Sequence, residues 1–248
     1  MKILVCISHV PDTTSKINFT DNDTKFDTNG VQFIINPNDE FGLTRAMWFK
    51  EKQGASVDVV TVGLKDTEPT IRKTLAIGAD QAIRVDVEPK DGFQVAKEIA
   101  KVAKDGNYDL IIAGRESIDY NGGMVPGMVA KLIGANFINT CVGLEVEGDK
   151  ATAIREIDGG KETLTTTLPL VIGGQKGLVE ESDLKIPNMR GIMMARKKPL
   201  NVVEPVADGL STEAKSFSKP APKGDVKLVD AEKIDELINL LHNEAKAI

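Results

Sequence analysis

Short apolar runs of strand length alternate along this chain with longer segments whose apolar residues recur at helical spacing. Residues 2–7 (KILVCI) are continuously apolar and are closed by the polar break Ser8-His9-Val10-Pro11-Asp12, which predicts a first strand buried on both faces. Residues 20–33 read as a small excursion, with Asp21-Asn22-Asp23 and Thr28-Asn29-Gly30 as turn signals between β-prone pieces. Asn36-Pro37 forces an extended turn, and Asn38 or Asp39 is expected to cap a helix that runs to Lys52 on Phe41, Leu43, Met47 and Trp48. Residues 57–62 predict a second strand and 81–85 a third. Between them a helix enters at Thr67-Glu68-Pro69, buries Ile71, Leu75 and Ile77, and stops at Gly78. A third helix over 92–104 and a fourth strand over 108–113 continue the alternation.

After Gly134 the pattern changes. Residues 139–147, 150–157 and 161–167 alternate polar and apolar positions and are joined by Gly148-Asp149 and Asp158-Gly159-Gly160, which predicts a β-meander; residues 168–173 return to a buried strand. Periodicity is lost over 174–198. Beyond Pro199 come proline breaks, a Ser/Lys/Pro-rich linker from Ser211 to Lys223, and a terminal amphipathic helix capped by Asp230-Ala231-Glu232-Lys233 with Ile234, Leu237, Ile238, Leu240 and Leu241 apolar. The expected fold is therefore α/β: a mostly parallel sheet with helices on both faces, an antiparallel meander at its edge, and a C-terminal arm ending in a helix. Residues 1–200 are expected to form the body and 201–248 the arm. A lone helix on a tether cannot keep an apolar face in water, so it docks either on its own domain or on a partner subunit.

The stretch from Tyr108 to Gly134 concentrates the candidate chemistry. A buried strand leads into a polar, glycine-containing loop (114–126) and then a helix with Val125, Met128, Val129 and Leu132 at helical spacing. Such a junction collects unpaired backbone N–H groups and the positive end of a helix dipole, which is where α/β sheets hold nucleotides. The alternative is an ordinary connection that binds nothing. A weaker anion-suited turn is Gly63-Leu64-Lys65-Asp66-Thr67 with Arg72, which lacks the lysine and paired glycines of a P-loop.

Composition narrows the field further. A net charge of -6 argues against nucleic acid as a partner, since phosphate backbones need a dense basic face. No apolar run is long enough to span a bilayer and no signal-peptide pattern precedes Pro11, so a cytoplasmic or equivalent reducing compartment is expected. Cys6 and Cys141 lie far apart in apolar settings and the two histidines, His9 and His242, form no cluster, so neither a disulfide nor a metal site is expected. No Ser-His-Asp or Cys-His arrangement supports a hydrolase. Residues 188–198 (NMRGIMMARKK) combine three methionines with four basic residues, a composition suited to transient docking of an acidic protein if it is not simply a solvated charge run.

Several segments together resemble the beta subunit of electron-transfer flavoprotein: KILVCISHVPDT, INPNDEFGLTRA, TVGLKDTEPTIRKTLAIGADQAIRV, DLIIAGRESID and, most specifically, AIREIDGGKETLTTTLPLVIGG. Gly173 stands where that last pattern usually has a small hydroxyl residue, alanine or cysteine. The resemblance implies an electron carrier subunit rather than an enzyme, paired with an alpha subunit that holds the redox-active FAD. It also implies a second nucleotide in this chain, AMP in the common form or another FAD. Carried over by position, adenine and ribose would sit by Cys6, Asn36, Val60 and Val62, and phosphate at Ser117, Asp119, Asn121, Gly122, Gly123, Met124 and Val125. The usual polar run before a glycine is missing there, which leaves the backbone N–H groups of Gly122 and Gly123 as donors. Thr13 and Asn38 match positions near the partner's flavin ring. Met189, with Ile192 and Met193, falls where the family docks acyl-CoA dehydrogenases or related flavin dehydrogenases, with a quinone oxidoreductase as acceptor. A stand-alone adenine-nucleotide sensor of similar form is the competing reading.

Overall fold

A computed structural model describes residues 1–206 and 212–248. The chain opens with β1 (Lys2–Cys6) and two short hairpin pairs, β2 (His9–Pro11) with β5 (Phe33–Ile35), and β3 (Phe19–Thr20) with β4 (Lys25–Phe26). Strands and helices then alternate: α1 (Pro37–Gln53), β6 (Ser56–Val62), α2 (Glu68–Ile77), β7 (Gln81–Val85), α3 (Gly92–Gly106), β8 (Leu110–Gly114) and α4 (Val125–Ile133). The meander is β9 (Asn136–Glu147), β10 (Lys150–Ile157) and β11 (Gly160–Thr167). After it come β12 (Leu170–Gly174), α5 (Met189–Ala195), β13 (Leu200–Val203) and α6 (Ile234–Asn239). Among the described residues nine strands share one sheet in the order β11-β10-β9-β12-β8-β1-β6-β7-β13. It is parallel from β9 through β13 and antiparallel only across β9, β10 and β11.

The side-chain period of two in β1 divides the core into two layers. Ile3 and Val5 point to a face covered by Phe41, Leu43, Ala46 and Met47 of α1 and by Ile71 and Leu75 of α2. Leu4 and Cys6 point to the opposite face, covered by Ala96, Ile99 and Ala103 of α3 and Val129 and Ala130 of α4. The continuous apolar runs of the central strands follow directly from having helices on both sides.

Local departures from the sequence reading have identifiable causes. Neither Asn38 nor Asp39 caps α1. Asn36 occupies that position without a side-chain cap bond, and Asp39 turns inward to the sheet. Residues 188–198, read as aperiodic, contain α5, which is too short for periodicity to register and is started by Asn188, whose Oδ1 accepts from Gly191 N at 2.8 Å. Leu200–Val203 pairs in register with Ala82–Val85 and so lies across the expected division at residue 200. The terminal helix begins where its cap was expected, with Lys233 as the N-cap of α6, but no side-chain cap bond is made, and the helix passes into a π-helical turn at Leu240–Glu244. The linker is not free of packing. Phe217 stacks on Phe19 with ring centroids 5.4 Å apart, and Lys219 Nζ donates to Asn18 Oδ1 at 2.7 Å. Ser211, the first residue of that linker, lies outside the described residues.

Candidate functional site

Parallel neighbours end on the same edge of a sheet. Because β8, β1 and β6 are adjacent and parallel, their carboxyl ends at Gly114, Cys6 and Val62 lie side by side. The first turn of α1 closes over this edge and ties its loops together. Asn36, 0% exposed, donates from Nδ2 to the Glu116 carbonyl at 3.0 Å and accepts from Ile118 N at 3.2 Å through Oδ1. Asn38 Nδ2 donates to the same Glu116 carbonyl at 3.1 Å. Asp39, 2% exposed, accepts from Ser8 N at 2.7 Å and from Gly114 N at 2.8 Å, one bond to each carboxylate oxygen.

This arrangement explains why glycine stands at 114. A Cβ there would sit 2.3 Å from Asp39 Oδ1 and 2.8 Å from Asn38 Cβ. Burial raises the Asp39 carboxyl to about 7, against the opposing pull of the Ser8 and Gly114 N–H donors. The same burial, reinforced by the Asp39 charge, pushes the Cys6 thiol far above its ordinary value, so it stays protonated and unreactive.

The residues expected around an adenine and ribose divide by accessibility. Cys6, Asn36 and Val60 are buried and only Val62 is partly open, so the first three form the floor and frame of the edge. The Val60 carbonyl is taken up by Ile7 N at 2.9 Å. In the loop over residues 115–124, Ser117 is partly buried, whereas Asp119, Asn121, Gly122, Gly123 and Met124 are exposed and Val125 opens α4. Asn121 and Gly123 adopt positive φ of 49° and 61°. The loop's carboxylates are Glu116, paired with Arg115 at 2.6 Å, and the exposed Asp119. α4 begins without a side-chain cap and carries Pro126 in its first turn. Donors offered to an anion are therefore mainly backbone N–H groups, joined by the Ser117 hydroxyl and the Asn121 amide.

Thr13 is exposed in the turn after β2, where the Asp12 carboxylate accepts from the Thr14 backbone and hydroxyl. His9, which the sequence reading considered only as a metal ligand, is half-buried at this edge. It stacks on Phe33 at 4.2 Å, and its Nδ1 lies 2.9 Å from Thr70 Oγ1. Desolvation lowers its pKa, opposed by the Asp66 charge, so it is neutral at physiological pH. Arg84 was also overlooked: buried at the end of β7, it donates to the Gly63 carbonyl at 2.9 Å and lies 3.3 Å from Glu68, bracing the turn into α2. A lone cation in the apolar run Gln81–Val85 was the available signal. Arg72, considered as an anion ligand at that turn, is committed elsewhere: its guanidinium donates to the carbonyls of Ala195 and Lys198 at 2.8 and 2.9 Å.

The residues assigned to docking form a second, separate surface. Met189, Ile192 and Met193 are 75%, 42% and 68% exposed on α5, which lies along α2 rather than at the strand ends. Lys198 Nζ fastens this segment to the carbonyls of Leu75 and Ala79 at 3.0 and 2.6 Å. Hollow volume points to this side of the molecule: a groove of about 770 Å³ lies between the helices, lined by Pro69, Lys73, Ala76, Pro187, Ile192 and Arg196. The strand ends are distinguished instead by topology and by converging polar groups.

A doubly wound α/β protein with a polar site at its strand ends is the class that this fold defines. The model of the electron transfer flavoprotein domain matches residues 23–208. The Bacillus subtilis electron transfer flavoprotein subunit beta is 35% identical, with the alignment covering 100% of both chains. The Syntrophomonas wolfei protein of that name is 36% identical over 90% of this chain and 87% of its own length, and the human one 34% identical over 87% and 86%. The chain belongs to the electron transfer flavoprotein family, as a beta subunit. Among the described residues no helix is long and apolar enough to cross a membrane.

Proposed function

We propose that this chain holds an adenylate at the edge formed by Cys6, Val62 and Gly114, borders the FAD carried by its alpha subunit, and presents α5 to electron-donating dehydrogenases. The observation that carries this reading is the edge itself: three adjacent parallel strand ends, with the loops after β1 and β8 tied together by Asn36, Asn38 and Asp39. The residues fit an adenylate in a particular way. The buried frame of Cys6, Asn36 and Val60 gives a rigid floor, and the loop over 115–124 supplies backbone donors to a phosphate.

FAD, when bound, supplies the one- and two-electron redox chemistry. This chain makes and breaks no bonds. Thr13 and Asn38 lie on the flavin side and limit its exposure to water. Met189, Ile192 and Met193 give an adaptable apolar contact flanked by Arg190 and Arg196, suited to an acyl-CoA dehydrogenase or a related flavin dehydrogenase in fatty acid oxidation. Electrons then pass to a quinone oxidoreductase, and the carrier works in the cytoplasm. A stand-alone nucleotide sensor needs its terminal helix packed at home, whereas Ile234, Leu237 and Ile238 of α6 are 63%, 43% and 49% exposed. Mass spectrometry of the small molecules released on denaturing the purified heterodimer tests the assignment. One FAD and one AMP per complex are expected, two FAD would move this site to the dinucleotide, and FAD alone would remove the adenylate altogether.

A further inference from the structure

The structure assigns Asp39 a positioning role that rests on the adenylate reading: its buried carboxylate clamps the end of β1 to the end of β8 and thereby sets the width of the edge at which the nucleotide is held. Three observations carry it. The two oxygens are divided between two chain segments, Oδ2 accepting from Ser8 N at 2.7 Å and Oδ1 from Gly114 N at 2.8 Å. The clamp has no slack, because a single Cβ at Gly114 would lie 2.3 Å from Oδ1. Finally, Asp39 is 2% exposed in the first turn of α1 and both of its oxygens are engaged within the chain, so it acts through what it holds.

A carboxylate is needed because both partners are donors. An amide can turn an oxygen to one N–H but then presents its own N–H groups to the other. A buried charge held only by dipoles is costly; an uncharged residue of the same shape relieves that cost but leaves the N–H of Ser8 or of Gly114 without its acceptor. What the carboxylate adds is a fixed distance between the residues that follow β1 and those that follow β8. The second group includes the loop over 115–125, to which the adenylate reading assigns the phosphate. Asn36 extends the clamp along the same loop through Glu116 and Ile118.

The test uses the full chain co-expressed with its flavoprotein partner subunit, stripped of nucleotide and titrated calorimetrically with AMP. Asp39→Asn is expected to weaken AMP binding about tenfold, a size typical of displaced polar contacts. Its nucleotide-free melting temperature is expected to change little, the relief of charge burial offsetting the lost acceptor, whereas a merely structural residue would lose stability and AMP affinity together. Gly114→Ala pushes against the same contact from the other side. It is expected to weaken AMP comparably, and the double variant to be no worse than the weaker-binding single one. Native-like AMP affinity in Asp39→Asn overturns the proposal, as do additive losses in the double variant. If Asp39→Asn does not assemble, native-like affinity in Gly114→Ala overturns it alone. A native complex that binds no AMP refutes the adenylate reading itself and is thereby distinguished from a failure of the clamp.

Discussion

At the scale of single residues, Asp39 is held by backbone N–H groups rather than by an opposite charge, and that gives it a measurable titration. Its folded value of about 7 lies above that of an unfolded aspartate, about 3.9. Between those two values the folded chain keeps a proton that the unfolded chain has released, so the contribution of Asp39 to stability is fullest below the unfolded value and is lost as pH rises through the folded one. Replacing it by asparagine removes this dependence. The melting temperature of the variant relative to the native chain should therefore climb between about pH 4 and about pH 7. A difference that stays flat across that range, or falls, contradicts the assigned environment. Sequence reading found Asp39 but misjudged it. An aspartate two residues past Asn36-Pro37 resembles a cap, and only the approach of Gly114, remote in sequence, shows that both oxygens are used across the sheet.

At the scale of elements, α5 illustrates a short helix made by its surroundings. Seven residues cannot hold a helix in water unaided. This one is started by Asn188 and pressed to α2 at Gly191, where a Cβ would meet the Ala76 carbonyl oxygen at 2.2 Å. Gly191→Ala is expected to cost about 1–3 kcal/mol through overpacking against backbone. It should speed amide exchange over 189–198 while leaving AMP affinity alone, because this surface is separate from the strand ends. Asn188→Ala, which deletes the cap, is expected to cost about 1 kcal/mol and to show the same local pattern in hydrogen exchange more weakly. The exposed methionines were legible in the sequence as a composition. Their presentation from a helix was not, since it depends on Arg72 and Lys198 satisfying carbonyls from neighbouring segments.

At the scale of the whole molecule, the described part of the arm beyond β13 touches the body through Val206 on Glu98, Thr212 on Asp91, where the backbone N lies 2.9 Å from Oδ2, Phe217 on Phe19 and Lys219 on Asn18, and it ends in α6 with a largely bare apolar side. Docking of that helix on the alpha subunit predicts that the paired change Leu237→Asp and Leu241→Asp abolishes heterodimer recovery in a pull-down while the body of the chain stays folded by circular dichroism. Recovery at native yield would put the helix elsewhere. Phe217→Ala is expected to free the linker, seen as faster proteolysis at residues 212–223, because its ring stacks on Phe19 of the body.

The sequence by itself determined the alternation of strands and helices, the parallel sheet buried on two faces, the meander and the amphipathic terminal helix. Each of these is written in local periodicity and in turn residues whose effect reaches only a few positions along the chain. Tertiary structure decided which strand ends became neighbours, that Asn36 and Asp39 serve distant loops instead of their own helix, and that α5 and β13 exist at all. Those outcomes depend on hydrogen-bond partners some 75 to 126 residues away and on contacts too close to admit a single methyl group, which no local pattern encodes.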